Sequence, residues 1–250
     1  MRKSLLAAAV CVLLASAGPA LGQDETRAII DKAVKALGGR DKLEKLRQAS
    51  TRTTGKGTVH LLGGFDVTYE AFGQGGNSKE VLEGEVAGQK FNQTVLLDGK
   101  KLHLYVNGKE YKLDEKRADA LAREQAHVAE VMDLVFADKK AGYKLSPLGE
   151  VKVNDKPAVG VRVSSEGYRD INLFFDKASG LPVKTEGRTL DIQSGEEQTE
   201  EKLLSDYKET DGVQRPGKLV VLRDGKKIFT LKIDEIKVVD KFDKDFFTKP

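Results

Sequence analysis

Between residues 24 and 37 apolar side chains recur at helical spacing: Ile29, Ala33 and Leu37 fall at i, i+4 and i+8, with Ile30 and Val34 beside them. The pattern predicts an amphipathic helix stopped by Gly38-Gly39, since glycine suits the left-handed position after a helix. Asp41 stands where it would cap a second short helix carrying Leu43 and Leu46. From Ser50 the period changes to two. Phe65, Val67, Tyr69 and Ala71 alternate with Asp66, Thr68 and Glu70, giving a strand with one apolar and one wet face. Strands over 91–97 and 102–106 meet at the turn signal Asp98-Gly99. Asn107-Gly108 repeats that signal before 110–113. Hairpins joined this tightly predict an antiparallel meander.

The meander is interrupted once. Residues 114–137 lack Gly and Pro and are rich in Ala, Glu, Arg and Leu, which predicts a helix. Leu121, Val128, Met132 and Val135 form its apolar stripe, widened near the C-terminal end by Val131, Leu134 and Phe136. Strands resume after Pro147. Val159, Val161 and Val163, then Ile171, Leu173 and Phe175, show the two-residue period. Pro182 marks a strand start or an edge. Further strands span 196–208, 216–223 and 227–239, and 243–247 forms a last helical turn. About eleven strands result, with no strand–helix–strand alternation. The predicted fold class is α+β, mainly β: a strongly curved antiparallel sheet or half-open barrel whose apolar concave face is covered by the two long helices. No linker divides residues 23–250, which read as a single domain.

The first 22 residues change the setting. Arg2 and Lys3, an apolar run from Leu5 to Ala17, and Ala20-Leu21-Gly22 together read as a cleavable secretory signal peptide. A membrane anchor needs about 20 uninterrupted apolar residues, and Gly18-Pro19 break this run early. A lipoprotein signal needs a cysteine after a small-residue box, whereas Cys11 sits inside the apolar run. The expected location is periplasmic and not membrane-anchored. Cleavage removes the only cysteine, and with it any disulfide, thiol nucleophile or cysteine metal ligand. It also removes two of the 42 basic residues and no acidic one, leaving 40 against 39. Charges are interspersed, so no basic face for nucleic acid is expected.

Catalytic groups are sparse. His60, His103 and His127 have no carboxylate or second histidine at metal-ligand spacing. No nucleophile elbow is present. The glycine-rich stretches 62–64 and 73–76 lack the Lys and Ser/Thr of a phosphate loop and read as hairpin turns. Asn92-Gln93-Thr94 matches a glycosylation sequon but falls within a strand. Glu196-Glu197 and Glu200-Glu201 are adjacent on strands, so their side chains point to opposite faces and read as solvated surface. No catalytic set, cofactor or metal site is expected.

Several segments resemble a known family. They are Lys35-Ala36-Leu37-Gly38-Gly39 with Leu43 and Leu46, Phe175-Asp176 with 180–186, 206–213 with Pro216, 223–227, and Phe247 with Lys249-Pro250. Together with the order of signal peptide, helix, meander, inserted helix and second meander, they resemble the LolA/LolB-like superfamily of outer-membrane lipoprotein carriers, in an uncharacterised bacterial envelope branch. The resemblance implies a half-open barrel under a helical lid that holds acyl chains. It offers Arg52 as the counterpart of a lid-contacting arginine. The implied function is a periplasmic carrier for a lipid or lipoprotein acyl chain, with an envelope lipoprotein-trafficking partner and a monomeric state. The lining would come from Phe65, Val67 and Tyr69 on the sheet and Leu121, Val128, Val131, Met132, Val135 and Phe136 on the helix. Ordinary core packing is the competing account of each. The alternative function is a non-catalytic envelope structural or protein-interaction module with a packed interior.

Overall fold

A computed structural model describes residues 23–61, 63–134, 142–243 and 245–250. Two helices, α1 (Gln23–Ala36) and α2 (Arg40–Gln48), lead into six strands: β1 (Ser50–Val59), β2 (Phe65–Gln74), β3 (Asn77–Val86), β4 (Gln89–Leu97), β5 (Leu102–Val106) and β6 (Lys109–Tyr111). Helix α3 (Glu115–Met132) follows. Then come β7 (Tyr143–Val153), β8 (Lys156–Ser165), β9 (Ile171–Asp176), β10 (Pro182–Leu190), β11 (Glu197–Ser205), β12 (Lys208–Thr210), β13 (Val213–Arg215), β14 (Lys218–Arg223) and β15 (Lys226–Val239). The signal-peptide reading of residues 1–22 and the helical reading of 135–137 lie outside the described residues.

Thirteen strands form one antiparallel sheet in the order β6-β5-β4-β3-β2-β1-β15-β14-β11-β10-β9-β8-β7, and β12 pairs with β13 apart from it. The last strand zips against the first, from Ser50 opposite Val239 to Val59 opposite Phe229, and so joins the two meanders. The sheet does not close: β6 and β7 are its two edges. Helix α3 lies between these edge strands in the chain. Its 18 residues span about 27 Å at 1.5 Å per residue.

The curvature has a local cause. Gly55 and Gly57 sit in the interior of β1, beside a register shift at Thr54/Gly55. A β-carbon on Gly57 would stand 2.7 Å from the Phe229 ring, and one on Gly55 3.0 Å from a Leu231 methyl. Side chains of β15 therefore lie across β1, which bulges and bare glycines permit at bends.

Helix α1, with the Leu37 that follows it, buries Ile30, Ala33, Val34 and Leu37 against Val161, Val163, Ile171, Leu173 and Phe175 of β8 and β9, with Val131 and Leu134 completing the cluster. Burying each large aliphatic side chain stabilises by about 1.5–3 kcal/mol. A second cluster joins Leu97 and Leu102 to Leu121 and Ala122 of α3, with Leu190 and Ile192 packed against it. Helix α3 thus touches both arms of the curved sheet. Its N-terminus is capped by Asp114, whose side chain accepts from the Arg117 amide. On the convex face the C-terminal segment folds back, placing Phe242 and Phe246 on Phe72, with ring centroids 5.7 and 5.1 Å away.

Three details differ from the sequence reading. The described residues hold fifteen strands rather than about eleven, because β3 shows no alternation and the stretch from 196 breaks at Asp206, whose φ is +56°. Asp41 lies in the first turn of α2, and the cap position is Gly39, with no side-chain cap. Pro147 lies within β7 rather than before it, next to a register shift on this edge strand, where its missing N–H is tolerated. Pro182 starts a strand, one of the two roles expected of it, and that strand, β10, is interior, paired with β9 and β11.

Candidate functional site: the concave face

Strand register fixes which side chains share the concave face. Phe65, Val67, Tyr69 and Ala71 of β2 lie beside Val59, Gly57, Gly55 and Thr53 of β1. On the other side Val67, Tyr69 and Ala71 face Gly84, Leu82 and Glu80 of β3, which in turn face Phe91, Gln93 and Val95 of β4. Beyond β1 the face continues through Phe229, Leu231 and Ile233 of β15. Helices α1 and α3 cover this face over β7–β9 and β4–β5. Between them Phe65, Tyr69, Leu82, Phe91, Phe229 and Ile233 are only half-buried. Large apolar groups on a concave wall, left partly open, are the ordinary form of a small-molecule site.

The residues expected to line such a site divide into groups. Phe65 and Tyr69 stand on the open stretch, Phe65 packing edge-on against Phe91 with ring centroids 5.4 Å apart. Val67 lies between them but is buried, flanked by Gly57 and Gly84. Leu121 is buried in the cluster with Leu97 and Leu102. Val128, Val131 and Met132 pack into the α1 cluster, where Val131 has no exposed surface. Val135 and Phe136 lie outside the described residues.

Polar groups also point into the concavity. Strands β3 and β11 are five spacings apart, about 24 Å along a flat sheet. Curvature nevertheless brings Glu80 of β3 within electrostatic reach of Lys202 and Glu200 of β11. Glu200 is held from two sides, by Lys202 at 3.2 Å and by Arg223 at 3.2 Å, and Arg223 also meets Asp191 at 3.5 Å. Burial pushes the Glu200 carboxyl up, but Lys202 and Arg223 outweigh it and hold the group below its ordinary value. For Glu80 burial dominates and raises the pKa, Lys202 opposing and Glu200 reinforcing it. The Tyr69 hydroxyl is likewise pushed well up by burial and by Glu80. Glu80 nonetheless keeps exposed side-chain surface. Register places it on the concave face between Ala71 and Val95. Solvated surface is therefore the wrong account of Glu200, although Glu201 does point the other way, to Lys184 at 2.5 Å.

Sequence reasoning missed Glu80, Glu200 and Lys202. Register alone reveals them, because β3 turns Ser78, Glu80, Leu82 and Gly84 inward, a mixture without apolar alternation. Arg52 does not fill the role the resemblance offered. It lies on the convex face, donating to Glu70 at 2.5 Å, 5.9 Å from the Phe72 ring centroid. His127 is buried on α3, its ring 4.2 Å from Tyr168 and 5.9 Å from Tyr143, and burial lowers its pKa against the pull of Glu130. His60 bonds Thr230 and His103 meets Glu110, both away from the concavity. A depression of about 490 Å³ opens on the convex face, walled in part by Lys56, Asp66, Glu83 and Lys232. Among the described residues no three His, Cys, Asp or Glu side chains converge as a metal site, and no helix is long and apolar enough to cross a membrane.

An unclosed antiparallel sheet, helices on its concave face and one helix between its edge strands define a half-barrel class. No family model matches the chain, and no curated protein matches its sequence. Solved structures do. A LolA superfamily protein from Nitrosomonas europaea superposes with a TM-score of 0.51 at 16% identity, covering 88% of this chain and 96% of that one. A DUF1329 family protein from Desulfovibrio piger superposes at 0.55 and 12% identity, covering 89% and 96%. The chain has the LolA-like fold.

Proposed function

We propose that the chain is an exported carrier that holds a lipid or lipoprotein acyl chain on its concave face, beneath α3. The observation that carries this reading is the half-buried run Phe65, Tyr69, Leu82, Phe91, Phe229 and Ile233, which the helices leave open. An acyl chain would finish the burial that the fold leaves incomplete. Each methylene taken from water contributes about 0.8 kcal/mol, so roughly ten give about 8 kcal/mol, micromolar affinity before ordering costs. Phe65, Val67 and Tyr69 form the sheet wall in this account. Leu121, Val128, Val131 and Met132 hold α3 in place above it. Residues 1–22 direct the protein to the periplasm, where residues 23–250 act as one monomeric unit and pass cargo to a lipoprotein-trafficking partner. The reading is supported by the fold shared with a LolA superfamily protein.

A neutral polarity-sensitive dye, N-phenyl-1-naphthylamine, tests it. Fluorescence should rise on mixing and fall when dodecanol is added. Ala71→Trp, which fills the open face beside Glu80, should abolish the rise without lowering the melting temperature. No rise with the unmodified protein contradicts the carrier reading and favours an interaction module with a filled interior.

A further inference from the structure

The concavity is not uniformly apolar, and its one polar region has an unequal charge balance. Lys202 and Arg223 are engaged by Glu200, and Arg223 is shared with Asp191. Glu80 makes no direct ion pair among the described residues, and Lys202 acts on it only from a distance. No hydrogen bond holds its carboxyl among the described residues, and its register neighbours on the concave face are Ala71 and Val95. Two cations therefore face three carboxylates, and Glu80 carries the uncompensated charge. Val95 packs against the cluster that contains Leu121, so this carboxyl sits next to the wall under the N-terminal half of α3. The open apolar stretch begins two residues along the same strand, at Leu82, and across the register at Tyr69. Gln198, on the same side of β11 as Glu200, also keeps a buried side-chain N–H group without a partner.

We propose that Glu80 is the head-group contact of this site and that it selects an amphiphile with a primary ammonium head over one with a carboxylate head. The inference rests on the acyl-carrier reading and adds the chemistry of the polar end. An ammonium can bond the free carboxyl in a charge-assisted pair, with the Tyr69 hydroxyl alongside, while its alkyl chain runs along Leu82, Phe91 and Phe65. A carboxylate head would meet a like charge on the concave face, which disfavours it. Lys202 offers a carboxylate no compensation, since its ammonium already lies 3.2 Å from Glu200.

The test is displacement of N-phenyl-1-naphthylamine near neutral pH by three ligands of equal chain length: dodecylammonium, dodecanol and dodecanoate. The unmodified protein should bind dodecylammonium about tenfold or more tighter than dodecanoate, with dodecanol between them. Glu80→Gln keeps the shape and removes the charge. It should bring dodecylammonium and dodecanoate to within about threefold of each other and leave dodecanol unchanged. A Lys56→Gln variant, on the convex face, should keep the full ratio. Equal displacement by all three ligands, or a ratio that survives Glu80→Gln, overturns the proposal while leaving the carrier reading intact. Failure of dodecanol to displace the dye defeats the carrier reading itself.

Discussion

A β-carbon on Gly38 would stand 2.3 Å from the carbonyl oxygen of Gly212. The end of α1 and the β12–β13 turn are in backbone contact there, and the Gln214 amide donates to the Leu37 carbonyl at 2.9 Å. Gly38 also has a φ of +121°, which side-chain-bearing residues rarely adopt. Two of the segments that carry the family resemblance, Lys35–Gly39 and Asp206–Val213, are thus halves of one joint. It fixes α1 over β8 and β9.

Gly38→Ala should therefore destabilise the protein by about 3 kcal/mol, combining backbone strain with a clash against main chain. Gly39 has a positive φ but open space around its β-carbon position, so Gly39→Ala should cost only about 1 kcal/mol. Urea unfolding midpoints at constant slope measure both. Equal losses would show that the Gly38–Gly212 contact contributes nothing.

Val131 and Phe65 distinguish packing from lining. Val131→Glu puts an unpaired charge in the fully buried α1 cluster and should destabilise by about 4 kcal/mol or unfold the chain. Phe65→Ala, on the open stretch, should cost about 1–2 kcal/mol and weaken dye binding several-fold. Thermal melts and dye titrations of both variants decide the matter. A Val131→Glu protein that folds normally but loses dye binding would place this residue in the site instead of the core.

Asp133 makes stability depend on pH. It closes the C-terminal end of α3, and burial raises its carboxyl to about 6, Arg47 and Arg215 notwithstanding. The folded state then holds a proton that the unfolded chain has released. Stability should fall as pH rises from about 4 to about 6 and stay lower above that, by on the order of 2 kcal/mol. Asp133→Asn removes the ionisation. The variant should match the unmodified protein near pH 4 and exceed it above about pH 6. Denaturation curves of the two proteins that run parallel across this range would refute the assignment.

The architecture was legible wherever one face is apolar and the other wet. Ile29, Ala33 and Leu37 gave α1 its facing, and Phe65 to Ala71 gave β2 its concave side. Strand β3 was hidden because it turns Glu80 inward between Ala71 and Val95, so no apolar period marks it. The opposed faces of Glu200 and Glu201 followed from strand geometry. Which of them pointed inward did not, since the answer depends on Lys202 and Arg223 reaching Glu200 from its own and the next strand. The difference between Val131, sealed in a core, and Tyr69, half open, was likewise beyond periodicity. Both are apolar positions on amphipathic elements, and only the way α1 and α3 divide the concave face separates them.

The concave face as an acyl-chain site is the central claim. Its most direct measurement is mass spectrometry of lipid extracted from the full-length gene product, exported with its own N-terminal segment and purified from a periplasm without detergent. The account predicts near-stoichiometric acyl-chain lipid in the unmodified protein and its loss from a folded Ala71→Trp variant. A lipid-free extract, or lipid retained in full by Ala71→Trp, would contradict it.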